Sequence, residues 1–211
     1  MIKKSIIFFV IVFVSFFIYQ KKFKNTNLEI WDLVPAKSVM IIEINDPLDK
    51  WNKFSSPLND DQFRDFRKLI DKNISELNSF LNNKLNVLVY NNNLIVSVSK
   101  TSKEGFDFLF TSNSKNLDFQ YVLKKAKDSL SFDITTRDFN DEKIYDFSDG
   151  TNFFSVVILN NFISVSKNTL LIEDVIRTSQ NKKLSFKNIN EDLFNQVMVQ
   201  NDFGNIFLNF S

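Results

Sequence analysis

The chain of 211 residues contains no cysteine and no histidine, and only three glycines and three prolines. Without imidazole or thiol there is no histidine general base, no cysteine nucleophile and no Ser-His-Asp triad. Zinc sites built on imidazole or thiolate are excluded, as are disulfides and a lipid carried on cysteine. The glycines Gly105, Gly150 and Gly204 stand far apart, so no glycine-rich phosphate loop can form. A domain without disulfides must rely on its apolar core, and 44% hydrophobic residues supply one.

The formal charge of +1 conceals an asymmetry. Residues 1–24 carry five lysines and no acid, leaving 21 basic and 25 acidic side chains and a net charge of −4 on the 187 residues that follow. Nucleic-acid affinity comes from clustered Lys and Arg that neutralise phosphates, so this body has no nucleic-acid partner by charge.

The chain does have one long lipophilic run. Lys3 and Lys4 precede uncharged residues 5–19, and Lys21, Lys22 and Lys24 close them. Fifteen helical residues span about 22 Å against a hydrocarbon core of roughly 30 Å, and flanking lysines extend the reach by snorkelling. A cleaved signal peptide has a similar start, but the run ends in Phe16-Phe17-Ile18-Tyr19-Gln20-Lys21 and lacks small residues for cleavage. A buried core helix is the third reading, and all-round hydrophobicity speaks against it. The expectation is an uncleaved single-pass transmembrane helix, a signal-anchor with the lipid bilayer as partner through residues 5–19. Positive charge flanks both ends, so orientation follows from the short tail, which places the body outside the cytoplasmic membrane.

Residues 25–37 read as a juxtamembrane spacer and 38–211 as the folded body. A β-branched strand is predicted at 39–44, and Asp46-Pro47 opens a short helix bearing Leu48, Trp51 and Phe54. A long helix follows at about 60–82, striped by Phe63, Phe66, Leu69, Ile70, Ile74, Leu77 and Leu81. Strands are expected at 87–90, 94–99 and 106–111, then a helix at 117–129. Four antiparallel strands at 132–139, 143–147, 153–159 and 162–166 turn at Asn140-Asp141, Asp149-Gly150 and Asn160-Asn161. Helices at 168–179 and 190–200 and a strand at 204–210 complete the order. The fold class is α+β: antiparallel sheet units with hairpins and packed helices. Val96-Ser97-Val98-Ser99 and Ser164-Val165-Ser166 suggest two related sub-units. The final strand reads as entering a further unit, as if the chain were a fragment of a longer parent.

Trp31-x-Leu33-Val34-Pro35, the strand around Glu43, the hairpin 94–99 with 106–111, Val165-Ser166-Lys167 and Gly204-Asn205-Ile206-Phe207-Leu208-Asn209 together carry a resemblance. They resemble the start of uncharacterised bacterial envelope proteins, with one N-terminal anchor and a long extracytoplasmic region. The resemblance implies an α+β body that continues past the Gly-Asn strand, and it implies no catalytic residues.

Other patterns invite chemistry and have plainer readings. Ser112-x-x-Lys115 and Ser164-x-x-Lys167 match the first motif of serine penicillin-recognising enzymes, with Ser148-Asp149-Gly150 near the second, but no Lys-Thr-Gly follows. Both Ser-x-x-Lys stretches fall at strand ends, not at the start of a helix. Asp138, Asn140, Asp141 and Glu142 could offer calcium hard oxygens, yet the spacing is that of a solvated acidic turn. Asp60-Asp61 complements a helix dipole. Asn73-Ile74-Ser75 forms a glycosylation sequon by coincidence. Trp31 and Trp51 read as an interfacial anchor and a core residue.

No catalytic, cofactor-binding or metal residue is assigned. The expected protein is a non-enzymatic binding or structural module of the bacterial inner membrane, its body in the periplasm, with an envelope protein or polymer as partner. The alternative is a hydrolase of envelope glycans that works with two carboxylates across a cleft.

Overall fold

The structure is a computed structural model that describes residues 28–45, 64–80, 93–103, 105–115, 117–129, 132–197 and 204–209. The anchor at 5–19, the short helix after Asp46, the strand at 87–90, Trp51 and Asp60-Asp61 lie outside these residues. Among the described residues no helix is long and apolar enough to cross a membrane.

Eight strands form one antiparallel sheet: β1 (Met40–Asn45), β2 (Asn93–Lys100), β3 (Phe106–Asn113), β4 (Asp133–Phe139), β5 (Glu142–Ser148), β6 (Phe153–Leu159), β7 (Phe162–Ser166) and β8 (Gly204–Leu208). Their order is β4-β5-β6-β7-β3-β2-β1-β8. Helices α1 (Arg64–Phe80), α2 (Phe119–Ser129), α3 (Thr169–Gln180), α4 (Phe186–Ile189) and α5 (Glu191–Val197) join them, with 3-10 turns at Ile30–Leu33 and Lys182–Leu184. The fold is α+β.

Two meanders, β1–β3 and β4–β7, with β8 added beside β1, make this sheet, and the meanders meet where β3 pairs with β7 from Leu109 opposite Ser166 to Asn113 opposite Phe162. Tight turns set the second meander's register. Asn140 and Asp141 have φ of 49° and 68°, Asn160 has 54° and Gly150 has 85°, and Asn, Asp and Gly tolerate this left-handed region best. The helix expected at 190–200 is seen as α5 over its described part, and the unexpected short α4 precedes it across Asn190.

Alternation along each strand sends side chains to two faces. The first face is apolar: Ile42, Val96, Phe110, Val165, Val156 and Phe147 belong to one cluster with Ile70, Ile74, Leu77 and Phe80 of α1 and Val122 and Ala126 of α2. Three of the residues expected in the α1 stripe are buried, at 0%, 8% and 2% exposure for Ile70, Ile74 and Leu77. Leu69, expected with them, is 39% exposed, because it sits one residue off the i, i+4, i+7 line that faces the sheet. Phe63, Leu81 and the Phe66 side chain fall outside the description.

The second face is mixed. Leu109, Ile144 and Val157 pack under Leu171, Ile172, Val175 and Ile176 of α3. A separate cluster joins Ile41, Ile95 and Phe207 to Trp31, Val34, Phe186 and Phe194. Trp31 is therefore core and not an interfacial anchor: it is 5% exposed, with Phe194 and Phe207 edge-on at 4.7 and 5.4 Å. The stretch read as spacer thus contributes Trp31, Leu33 and Val34 to the interior, and Pro35 bridges to Ser185.

Candidate functional site

Several sequence patterns meet at β1. Glu43 is buried, and its carboxylate accepts from Asn93 Nδ2 at 3.0 Å and Asn205 Nδ2 at 2.9 Å. A carboxylate is acceptor-only and an amide offers two donors, so each oxygen is matched by one neighbouring strand. Gly204 completes the join, since a Cβ there would stand 2.0 Å from the Glu43 carbonyl oxygen. Asn209 donates to the carbonyls of Ala36 and Ser38 at 3.1 and 3.2 Å. The Glu43 and Gly204-Asn205 segments that carried the sequence resemblance are therefore neighbours, and they fasten β8 to β1. Their chemistry is structural.

A second polar group lies between α3 and the second meander. Arg137 donates to Asp146 at 3.2 Å, to Glu173 at 3.0 Å and to Thr169, while Ser155 donates to the other Asp146 oxygen. Arg177 binds Glu173 at 3.2 Å and Asp174 at 2.8 Å, and its guanidinium lies 4.8 Å from the Phe139 ring centre. The Arg137 guanidinium is engaged on three sides, so this group reads as a clamp on α3.

The Ser-x-x-Lys patterns do not assemble. Ser112 is buried and donates to the Asn93 carbonyl at 3.1 Å, whereas Lys115 is exposed. Ser164 is buried on the second face, 3.0 Å from the Thr111 hydroxyl. The Lys167 ammonium lies on the first face, over the Phe154 ring at 5.5 Å. Alternation along β7 separates Ser164 from Lys167, so this serine does not meet the lysine of its own pattern. Asn73 of the sequon donates to the Leu69 carbonyl at 2.8 Å along α1.

Asp149 is held by its own turn, accepting from the backbone of Thr151 at 2.9 Å and Asn152 at 2.6 Å and from Asn152 Nδ2 at 2.9 Å. These bonds, the Asn152 side chain first, hold its carboxyl below the ordinary value. The acidic β4–β5 turn behaves oppositely: burial, then the Asp141 charge, raise Glu142. Among the described residues no three acids gather as metal ligands.

Among the described residues a cleft of about 170 Å³ with polar groups lies between α1 and the β5–β6 hairpin. Phe80, Phe132 and Phe154 form its floor, and Glu76, Ser79, Asp149 and Asn152 its rim. Phe80 stacks on Phe154 at 4.5 Å and meets Phe147 edge-on at 4.9 Å, which fixes the floor. Lys167 binds Glu76. Beyond Lys167 a smaller hollow of about 80 Å³ lies beside exposed Leu69 and Phe106. Sequence reasoning missed the pairing of Glu76 with Asp149 across this cleft. The two are 73 positions apart, and no local pattern joins a helix residue to a hairpin turn.

No family model, curated protein or solved structure matches this chain.

Proposed function

We propose that the chain is a membrane-anchored extracytoplasmic binding module without catalytic activity. The anchor reading rests on the uncharged run 5–19 between lysines, and with it the single-pass placement in the bacterial inner membrane with the body in the periplasm. The observation that carries the binding reading is the open aromatic-floored cleft, rimmed by Glu76, which pairs with Lys167, and by Asp149, which is held by its own turn.

A glycan hydrolase needs one carboxyl kept protonated to serve the leaving group. Glu76 and Asp149 are the acids that share a cleft. Glu76 is ion-paired with Lys167, and Asp149 is shifted toward ionisation. A carboxylate held by a lysine and another whose turn bonds favour its charged form suit holding a ligand.

The test uses the full chain in detergent with isolated envelope glycan. No reducing ends should be released, and the chain should co-sediment with envelope material in proportion to its concentration. Reducing ends released by the parent and lost in Glu76→Gln would establish the hydrolase instead. Alkaline extraction and external protease on spheroplasts test the anchor, which should resist extraction while the body is digested.

A further inference from the structure

We propose that the cleft between α1 and the β5–β6 hairpin binds an organic monocation: a primary ammonium or guanidinium group on a short aliphatic stem. The proposal rests on the reading of this cleft as a binding site and gives the chemical class of its ligand.

Two carboxylates face the cleft, Glu76 from α1 and Asp149 from the hairpin turn. Their geometries differ. Glu76 already has a cation, Lys167. Asp149 accepts from Thr151, from Asn152 and from its own backbone N–H, and among the described residues no cation pairs with it. Its negative charge is therefore met by neutral donors alone and is not compensated. Its bonds hold it ionised well below neutral pH.

The floor fits the same ligand. Phe80, Phe132 and Phe154 are packed rings, and ring faces and edges accept an aliphatic stem while the ring quadrupole attracts the charge. The protein itself places a cation at the edge of this floor: the Lys167 ammonium, which lines the neighbouring hollow, stands 5.5 Å from the Phe154 ring centre and bonds Glu76. With Glu76, Asp149 and Lys167 ionised, the cleft carries one uncompensated negative charge. An anion would meet two carboxylates. A neutral ligand would leave the Asp149 charge uncompensated. A monocation neutralises the cleft, and a volume of about 170 Å³ admits a side chain of the lysine or arginine kind.

The test titrates the full chain in detergent, at low salt, with n-butylammonium, butylguanidinium, 1-butanol and butyrate, read by the NMR shifts of the Asn152 side-chain amide. The two cations should shift the signal saturably, and the alcohol and the anion should not. Asp149→Asn should weaken the cations about three- to tenfold, because one charge-assisted contact is lost. The fold should survive, since an Asn oxygen can still accept from the Thr151 and Asn152 backbone, and unchanged backbone amide shifts outside the turn, with at most a slightly lower melting temperature, check this. Lys167→Met removes the ammonium that pairs with Glu76 at the cleft's edge and should strengthen binding about threefold or more, an effect that a purely structural lysine does not produce. A peptide with one lysine, compared with its Nε-acetylated form, separates a protein partner from a free amine.

Equal response to butyrate and butylammonium overturns the proposal, as does unchanged affinity in Asp149→Asn or weaker binding in Lys167→Met. Those results leave the binding-module reading in place. Release of reducing ends that depends on Glu76 would overturn that reading itself.

Discussion

The two faces of the sheet are held by different physics. On the first, α1 and α2 cover one continuous apolar cluster in which Phe80, Phe132, Phe147 and Phe154 interlock. On the second, two smaller clusters are accompanied by buried Ser97, Thr111, Ser155, Ser164 and Ser166, and by the Arg137 and Glu43 bonds. Small hydroxyl residues leave room for α3 and the N-terminal turn to approach the strands. Specific partners meet this polarity in part, as Thr111 and Ser164 do for each other at 3.0 Å, while the buried Ser97 hydroxyl has none among the described residues. Burial supplies cohesion on the first face, and directed bonds supply register on the second.

The largest expected effect lies on the first face. Phe80 is 3% exposed and touches three other rings, so Phe80→Ala should cost about 3–5 kcal/mol through lost transfer energy and the cavity left behind. The denaturation midpoint of the solubilised chain measures it. If this change cost less than any single polar change on the second face, the contrast between the faces would be reversed.

A smaller loss is expected at the Glu43 clasp. Asn205→Ala leaves one oxygen of a buried carboxylate without its donor, which typically costs about 1–3 kcal/mol. The damage should be local. Hydrogen exchange should speed up along β8 and β1 while α1 remains protected. Uniform loss of protection would show that the clasp supports the whole sheet and not its edge.

Smaller again is the clamp on α3. Arg137 is 34% exposed, and solvent screens its pairs with Asp146 and Glu173. Arg137→Met keeps much of the aliphatic stem and should cost about 1 kcal/mol or less, with the difference shrinking at high salt. An unchanged deficit in molar salt would mean that the side chain acts by packing.

The same contrast explains what the sequence revealed. The 3.6-residue apolar spacing of Ile70, Ile74 and Leu77 and the turn residues Asn140, Asp141, Gly150 and Asn160 are local signals, and they placed α1 and three hairpins correctly. The pairing of β3 with β7 left no such trace, because Leu109 and Ser166 become neighbours only through long-range register. Burial of Trp31 was also hidden, since the rings of Phe194 and Phe207 that cover it come from the other end of the chain. The candidate cleft was the least legible feature. Glu76 and Asp149 are ordinary surface acids in their own segments, and only the crossing of α1 over the second meander places them together.

The smallest predicted effect concerns the two hairpin acids, whose shifts have opposite signs. Glu142 is raised by burial and by Asp141, so the folded protein disfavours its charged form. Its contribution to stability is full below the unfolded value, about 4.3, and is lost as pH rises through the higher folded value. Glu142→Gln removes that loss and should raise the melting temperature slightly at pH 7 while leaving it unchanged near pH 3.5. Partial exposure keeps the gain small. Asp149 is lowered, so its turn bonds stabilise the fold above the ordinary carboxylate value and weaken as pH falls through the folded value. Melting temperatures of parent and variant across this range decide the matter. A Glu142→Gln gain that grew on acidification would contradict the assigned direction and place the strain of this turn in its backbone, at Asn140 and Asp141.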